Sequence, residues 1–272
     1  MSGLSRVAIR QELATTWLGR EVHLVARTGS TNDIARSLAR GGAAEGTLVI
    51  ADEQSAGRGR LGRQWWAPPG SSLLLSLVLR PPLDAAQTVW LTMIAGLACA
   101  EAVEGHTGLR PDLKWPNDVL FGGRKLAGIL TELETAANQL AFAVVGMGIN
   151  VNVDFQQDAA PAELRDSGIG LSQVLGHPVD RLSLLCELLL RLEQRYEAIL
   201  SGRSPHAEWS ERLVTHGKRV RVAIASGGAD VGRVEDLEGF AEGVDANGAL
   251  LLRLADGRVQ PILAGDVTVC GS

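Results

Sequence analysis

The sequence predicts an α+β protein: a mixed, largely antiparallel sheet with flanking helices, followed by a small β-barrel. Three observations carry this. Asp112 to Trp115, Lys125 to Leu133 and Leu140 to Val145 are strand-like runs parted by Gly122, Gly123 and Asn138. Such tight turns leave no room for crossover helices, so neighbouring strands run antiparallel. Asp180 to Leu200 carries Leu182, Leu185, Leu189, Leu192, Tyr196 and Ile199 on one stripe, with Glu187, Arg191, Glu193, Arg195 and Glu197 largely opposite, the pattern of a helix packed on a core. From about Gly217 the texture changes to short alternating runs, Arg219 to Ala225, Val231 to Val234, Phe240 to Val244, Ala249 to Leu254 and Val259 to Leu263, separated by Gly, Asp and Asn turns. The division expected is 1–216 for the larger unit and 217–272 for the smaller.

The remaining elements follow from local pattern. Ser5 to Leu18 has apolar residues near helical spacing, and Glu21 to Ala26 alternates as a strand does. Ser30, Thr31, Asn32 and Asp33 precede Ile34, Ala35, Leu38 and Ala39, with Gly41 and Gly42 behind: a capped helix with a glycine stop. Thr47 to Ala51 and Leu73 to Leu79 are apolar runs suited to buried strands, and Thr88 to Val103 reads as helix.

Composition narrows the function classes. Hydrophobic residues make up 46% and charged residues 21%, a balance that permits a packed core and excludes disorder as the default. Twenty-six Lys and Arg against 31 Asp and Glu leave a net charge of -5, which argues against a protein that coats nucleic acid, so any anion site is local. Cys99, Cys186 and Cys270 form neither a CxxC pair nor an even set, which fits a reducing cytoplasm, and five scattered histidines make no metal cluster. The polar N-terminus lacks a signal-peptide core, and the longest uncharged apolar stretch, Thr88 to Ala100, is 13 residues and too short to span a bilayer.

Chemistry concentrates in a few segments. In the loop around Gly57-Arg58-Gly59-Arg60-Leu61-Gly62-Arg63, glycines let backbone approach an anion and guanidinium forks grip phosphate or carboxylate. Gly57, Gly59 and Gly62 match GxGxxG, but Pro68, Pro69 and Gly70 forbid the helix that a dinucleotide site opens, and Arg63-Gln64 replaces the Lys-Ser/Thr of a P-loop. Lys114 and Asp118 flank Trp115-Pro116-Asn117 at a strand end, a pairing that suits a phosphate with Mg2+ and that elsewhere is a surface ion pair. Lys125 opens an apolar strand in which Gly128 permits close backbone approach, and the segment from Gly146 to Asn152 supplies glycines and amides for a neutral heterocycle or for a plain turn.

Taken together, STN at 30–32, EQSAGRGRLGRQWWAPPG at 53–70, KWPNDV at 114–119, RKLAGIL at 124–130 and GMGINVN at 146–152 resemble the biotin protein ligases. The resemblance covers about Thr28 to Val153, and the tail after Gly217 looks like that family's SH3-like C-terminal domain. Ala67 stands where the family usually has serine. The resemblance implies a class II synthetase-like catalytic domain that joins biotin to ATP as biotinoyl-AMP, releases pyrophosphate, and passes the biotinoyl group to a lysine of a biotin carboxyl carrier domain.

By matching motifs, Ser30, Thr31, Asn32 and Gln54 would line the biotin pocket, joined by Gly57, Arg58, Gly59, Arg60, Lys125 and Gly128. Lys125, Arg58 and Arg60 would be catalytic; Arg60, Arg63, Trp65, Lys114, Asn117, Lys125 and Asn150 would hold ATP; Asp118 would meet Mg2+. Gly148 would let backbone approach the ligands. Only 29 residues precede Ser30, which leads to the expectation of a monofunctional form without an N-terminal DNA-binding domain, with no DNA and no membrane as partner and a homodimer left open. A lipoate ligase of the same adenylating logic and a biotin-sensing DNA-binding regulator are the alternatives.

Overall fold

A computed structural model of the chain describes residues 4–137, 139–156, 160–225 and 234–270. Helix α1 (Arg6–Glu12) is capped by the Ser5 side chain, which accepts from the Ala8 amide. It stops short of the helix expected to Leu18. The amides of Thr16, Trp17 and Leu18 instead donate to the Glu193 carboxylate at 2.7, 3.0 and 2.8 Å, and peptide groups so engaged cannot also close helical turns.

Strand β1 (Val22–Thr28), helix α2 (Thr31–Arg40), strands β2 (Leu48–Gln54) and β3 (Leu73–Leu79), helix α3 (Val89–Thr107) and strands β4 (Asp112–Lys114), β5 (Asp118–Phe121), β6 (Arg124–Ala136) and β7 (Gln139–Ile149) build the larger sheet. Its order is β1-β2-β3-β7-β6-β5-β4, with β1 and β2 parallel and every other pair antiparallel; tight connections join the run from β4 to β7. The sequence pattern missed β5, and Asn138 lies outside the described residues. Two short helices, α4 (Ala162–Arg165) and α5 (Leu171–Leu175), precede the long α6 (Arg181–Leu200) and α7 (His206–Glu211). Helices α3 and α6 pack together, with α3 against the sheet, and no described helix is long and apolar enough to cross a membrane.

Strands β8 (Lys218–Ala225), β9 (Val234–Val244), β10 (Leu250–Arg253), β11 (Val259–Ile262) and β12 (Asp266–Val269) form a five-stranded antiparallel sheet in the order β11-β10-β9-β8-β12. Expected strand residues 231–233 lie outside the described residues, and β12 is a strand that the sequence pattern does not mark. The two sheets share one core: Leu113 and Trp115 of the larger unit are buried in the same cluster as Val220, Leu250 and Val267. The Trp115 indole also donates to the Gly248 carbonyl at 2.8 Å.

On the opposite face, α2 seals a smaller cluster of Ala35, Ala39, Val49, Val78, Phe142 and Val144. Phe142 and Val144 share a face of β7 with Gly146 and Gly148, because side chains alternate along a strand. Side chains fill that face beneath α2; glycines leave it hollow beyond the helix's first turn.

Candidate active site

The hollow is a cavity of about 340 Å³. Every residue assigned to a site from the sequence lines it except Gly57. Gly57 is buried beside it, where a Cβ would come within 2.8 Å of the Trp65 carbonyl oxygen, so its role is to let the two arms of the loop cross. The loop returns on itself through Trp65 N–H to Gly57 O and Gly59 N–H to Arg63 O, at 2.9 and 2.7 Å, and holds only a three-residue turn of 3-10 helix, Arg60–Gly62. No phosphate-binding helix of the Rossmann kind follows it.

One end of the cavity is neutral and rich in hydrogen-bonding groups. Ser30 caps α2 by position without a side-chain cap bond. Thr31 donates from its amide to Gln54 Oε1 at 2.7 Å, and its hydroxyl lies 3.1 Å from the same atom. Buried Asn32 donates from Nδ2 to Glu132 Oε2 at 2.6 Å and to the Leu130 carbonyl at 3.3 Å, while its Oδ1 accepts from Ser76 Oγ at 2.6 Å. These partners set which way the amide faces: two acceptors require the nitrogen, one hydroxyl donor the oxygen. A Cβ on Gly146 would fall on Asn32 Oδ1, so the site needs glycine there.

The other end is cationic. Lys125 Nζ lies 2.6 Å from Asp118 Oδ1 and 5.7 Å from the centre of the Trp65 ring. The backbone of Lys125 is fixed independently: its amide donates to Ser167 O at 2.7 Å, and its carbonyl accepts from Ile169 N–H at 3.0 Å and from Asn150 Nδ2 at 3.2 Å. Trp65 lies against Gly148 and Gly128, where Cβ atoms would approach its ring to 2.5 and 3.0 Å. Among the described residues neither its Nε1 nor Asn150 Oδ1, both buried, has a hydrogen-bond partner, whereas buried polar groups ordinarily have one.

Arg60 is half-buried, and among the described residues its side chain makes one hydrogen bond, Nη1 to Asn117 Oδ1 at 3.4 Å. Burial pushes its pKa down, partly offset by Asp118 and Asp266, and a guanidinium stays protonated through such a shift. A cation held there with so little compensation attracts an anion. Arg63 pairs with Asp266 of β12 at 2.6 Å. Burial raises the Asp266 carboxyl, but the Arg63 hydrogen bond and the charges of Lys114, Arg63 and Lys125 hold it below the usual carboxylate range. Arg58 is engaged by both carboxylate oxygens of Asp33, at 2.7 and 2.6 Å.

Sequence reasoning missed Ser76, Glu132 and Asp266. Ser76 had a signal, a lone hydroxyl in the apolar run Leu73–Leu79. Glu132 sits among alternating charges that read as a solvated strand face, and Asp266 meets Arg63 across 203 positions of chain with no local pattern to announce it.

A family model for the biotin/lipoate A/B protein ligases matches residues 24–150, and one for the biotin protein ligase C-terminal domain matches 215–269. Over 276 aligned residues, 97% of this chain and 95% of the relative, the chain is 36% identical to the biotin acetyl-CoA-carboxylase ligase of Mycobacterium tuberculosis. The chain belongs to the biotin protein ligase family. A bifunctional ligase/repressor from Bacillus spizizenii is likewise 36% identical, over 97% of this chain and 78% of its own length. Among solved structures, the Aquifex aeolicus biotin protein ligase in complex with biotin and ATP superposes with a TM-score of 0.75 at 28% identity, covering 93% of this family member and all of that chain.

Proposed function

We infer that this chain is an ATP-dependent ligase that activates biotin as biotinoyl-AMP and transfers the biotinoyl group to a lysine of a biotin carboxyl carrier domain. One observation carries the reading beyond family membership: a single cavity joins a neutral, hydrogen-bonding end to a cationic end. The ureido ring of biotin offers donors and acceptors to Ser30, Thr31, Asn32 and Gln54; the dithiolane of lipoate offers none, which favours biotin. In the first step a biotin carboxylate oxygen attacks the α-phosphorus and pyrophosphate leaves. Both reactants are anions, so Lys125, Arg60, Arg63 and Lys114 neutralise charge as they meet. In the second, a carrier lysine amine attacks the acyl carbon and AMP leaves.

Trp65, Asn117 and Asn150 are assigned to the nucleotide, Gly128 and Gly148 to close backbone approach, and Gly59 and Arg58 to the loop over the intermediate. Among the described residues no group of three or more His, Cys, Asp or Glu gathers to hold a metal. Mg2+ would enter as a counter-ion to the charge of ATP, and Asp118 is the carboxylate that would be offered to it. The unit 1–216 is assigned catalysis and 217–272 a supporting role, from which Asp266 reaches the cavity. Three unpaired cysteines and the acidic balance suit a cytoplasmic enzyme whose macromolecular partner is a protein.

Exchange of labelled pyrophosphate into ATP tests the first step. Exchange that depends on biotin, and is absent with lipoate, is the expected result; lipoate-dependent exchange contradicts the reading. A second expectation concerns the neutral end. Gly146→Ala places a methyl group on Asn32 Oδ1, so Asn32 must leave at least one buried partner unsatisfied, at a cost of about 1 to 3 kcal/mol. The biotin KM should rise about tenfold or more with kcat much less affected. An unchanged KM would remove Asn32 from the pocket wall.

A further inference from the structure

Four charged side chains meet beside the neutral end of the cavity. Arg58, from the loop, forms its paired contact with Asp33. Arg36, one turn along α2 from Asp33, forms an ion pair with Glu132 Oε1 and lies 3.8 Å from Asp33 Oδ1. Glu132 Oε2 lies 3.8 Å from Arg58 Nη2 and accepts from Asn32 Nδ2 at 2.6 Å. The Glu132 side chain is 26% exposed, less than Arg58 at 39% or Asp33 at 50%, so its interactions are the least screened of these three. Among these four charged groups, Glu132 is the one bonded to Asn32 at the neutral end.

We propose that Glu132 is a positioning residue that ties the pocket to the loop: one carboxylate orients the Asn32 amide and, through its charge, helps hold Arg58 at the root of the loop. The inference rests on reading the cavity as the biotin and adenylate site. Its two oxygens divide the work. Oε2 faces Asn32 and Arg58, while Oε1 is held by Arg36, which fixes the carboxylate against rotation. Asp33 holds Arg58 through a two-point contact, but that pair is exposed and screened, and an exposed pair gains weight as part of a network of several charges. Glu132 supplies a second anion to the same guanidinium from the strand that carries Lys125 and Gly128, so the loop is referred to the strand on which the chemistry sits.

The test compares wild type with Glu132→Gln and Glu132→Ala, using biotin, MgATP and a biotin carrier domain. Biotin KM, kcat and the release of biotinoyl-AMP on rapid dilution are measured, with thermal unfolding alongside. Glutamine still offers Asn32 a carbonyl oxygen but gives Arg36 and Arg58 no charge. Glu132→Gln should therefore keep biotin KM within about threefold of wild type and release adenylate about tenfold faster. Glu132→Ala should raise both by about tenfold or more, with kcat for the chemical step little changed. A merely structural residue would lower stability without separating these readouts. Adenylate release from Glu132→Gln within about twofold of wild type would overturn the proposal, and this variant decides the matter even if Glu132→Ala does not fold. Wild type that fails to label the carrier would instead overturn the reading of the cavity, and the inference with it.

Discussion

Lys125→Ala is expected to cut the rate of biotin adenylation by about a hundred- to a thousandfold, the range found when one preorganised donor to a developing charge is removed. The ammonium stands at the cationic end, beside Asp118 and over the face of Trp65. Charge crowds the α-phosphorus most when the incoming carboxylate and the departing pyrophosphate are both partly bonded, so the loss falls on the transition state more than on bound biotin. The backbone of residue 125 is held by Ser167, Ile169 and Asn150, none of which depends on the side chain, so the variant should fold. Removing the amine also leaves Asp118, 15% exposed, without the ammonium that pairs with it. Calorimetry should find biotin affinity within about tenfold of wild type beside the collapsed rate of pyrophosphate release. Equal losses in both would make Lys125 a binding residue only.

Arg60→Gly should loosen the finished intermediate. The phosphate of biotinoyl-AMP keeps its negative charge after pyrophosphate has gone, and Arg60 is a half-buried loop cation whose side-chain hydrogen bond among the described residues is a long neutral one to Asn117. A hydrogen bond to a charged group is worth roughly 1.5 to 3 kcal/mol, so its loss should speed adenylate dissociation by about one to two decades. Glycine adds backbone freedom to the loop in the same step. The variant should still consume ATP while free biotinoyl-AMP escapes and labels exposed lysines on unrelated proteins. Release no faster than wild type on rapid dilution would show that Arg60 does not clamp the intermediate.

The readable parts of this chain are those in which neighbours in sequence act together. Asp180 caps α6 through bonds to the amides of Leu182 and Ser183, and the leucine stripe behind it is buried, so that helix was legible almost to the residue. The loop arginines, Lys114, Lys125 and the Ser30-Thr31-Asn32 turn were legible because their spacing is local. Elements held by distant partners were not. The first helix stops early because Glu193, far along the chain, takes the amides of Thr16 to Leu18. Gly146 and Gly148 looked equally like a turn and like a site; they lie within β7, where the indole of Trp65 and the amide of Asn32 take the space their side chains would fill. Asp266 reached the cavity by way of a second sheet that no local pattern connects to Arg63.

The central claim is that this cavity activates biotin and hands it to a carrier lysine, and it is tested most directly by the mass of the acceptor. The protein is incubated with biotin, MgATP and an isolated biotin carboxyl carrier domain, and the domain is weighed by mass spectrometry with and without ATP. The expected result is a gain of one biotinoyl group on a single lysine, dependent on ATP and lost in Lys125→Ala. A carrier whose mass is unchanged, or one that gains a lipoyl group when lipoate is supplied instead, would contradict it.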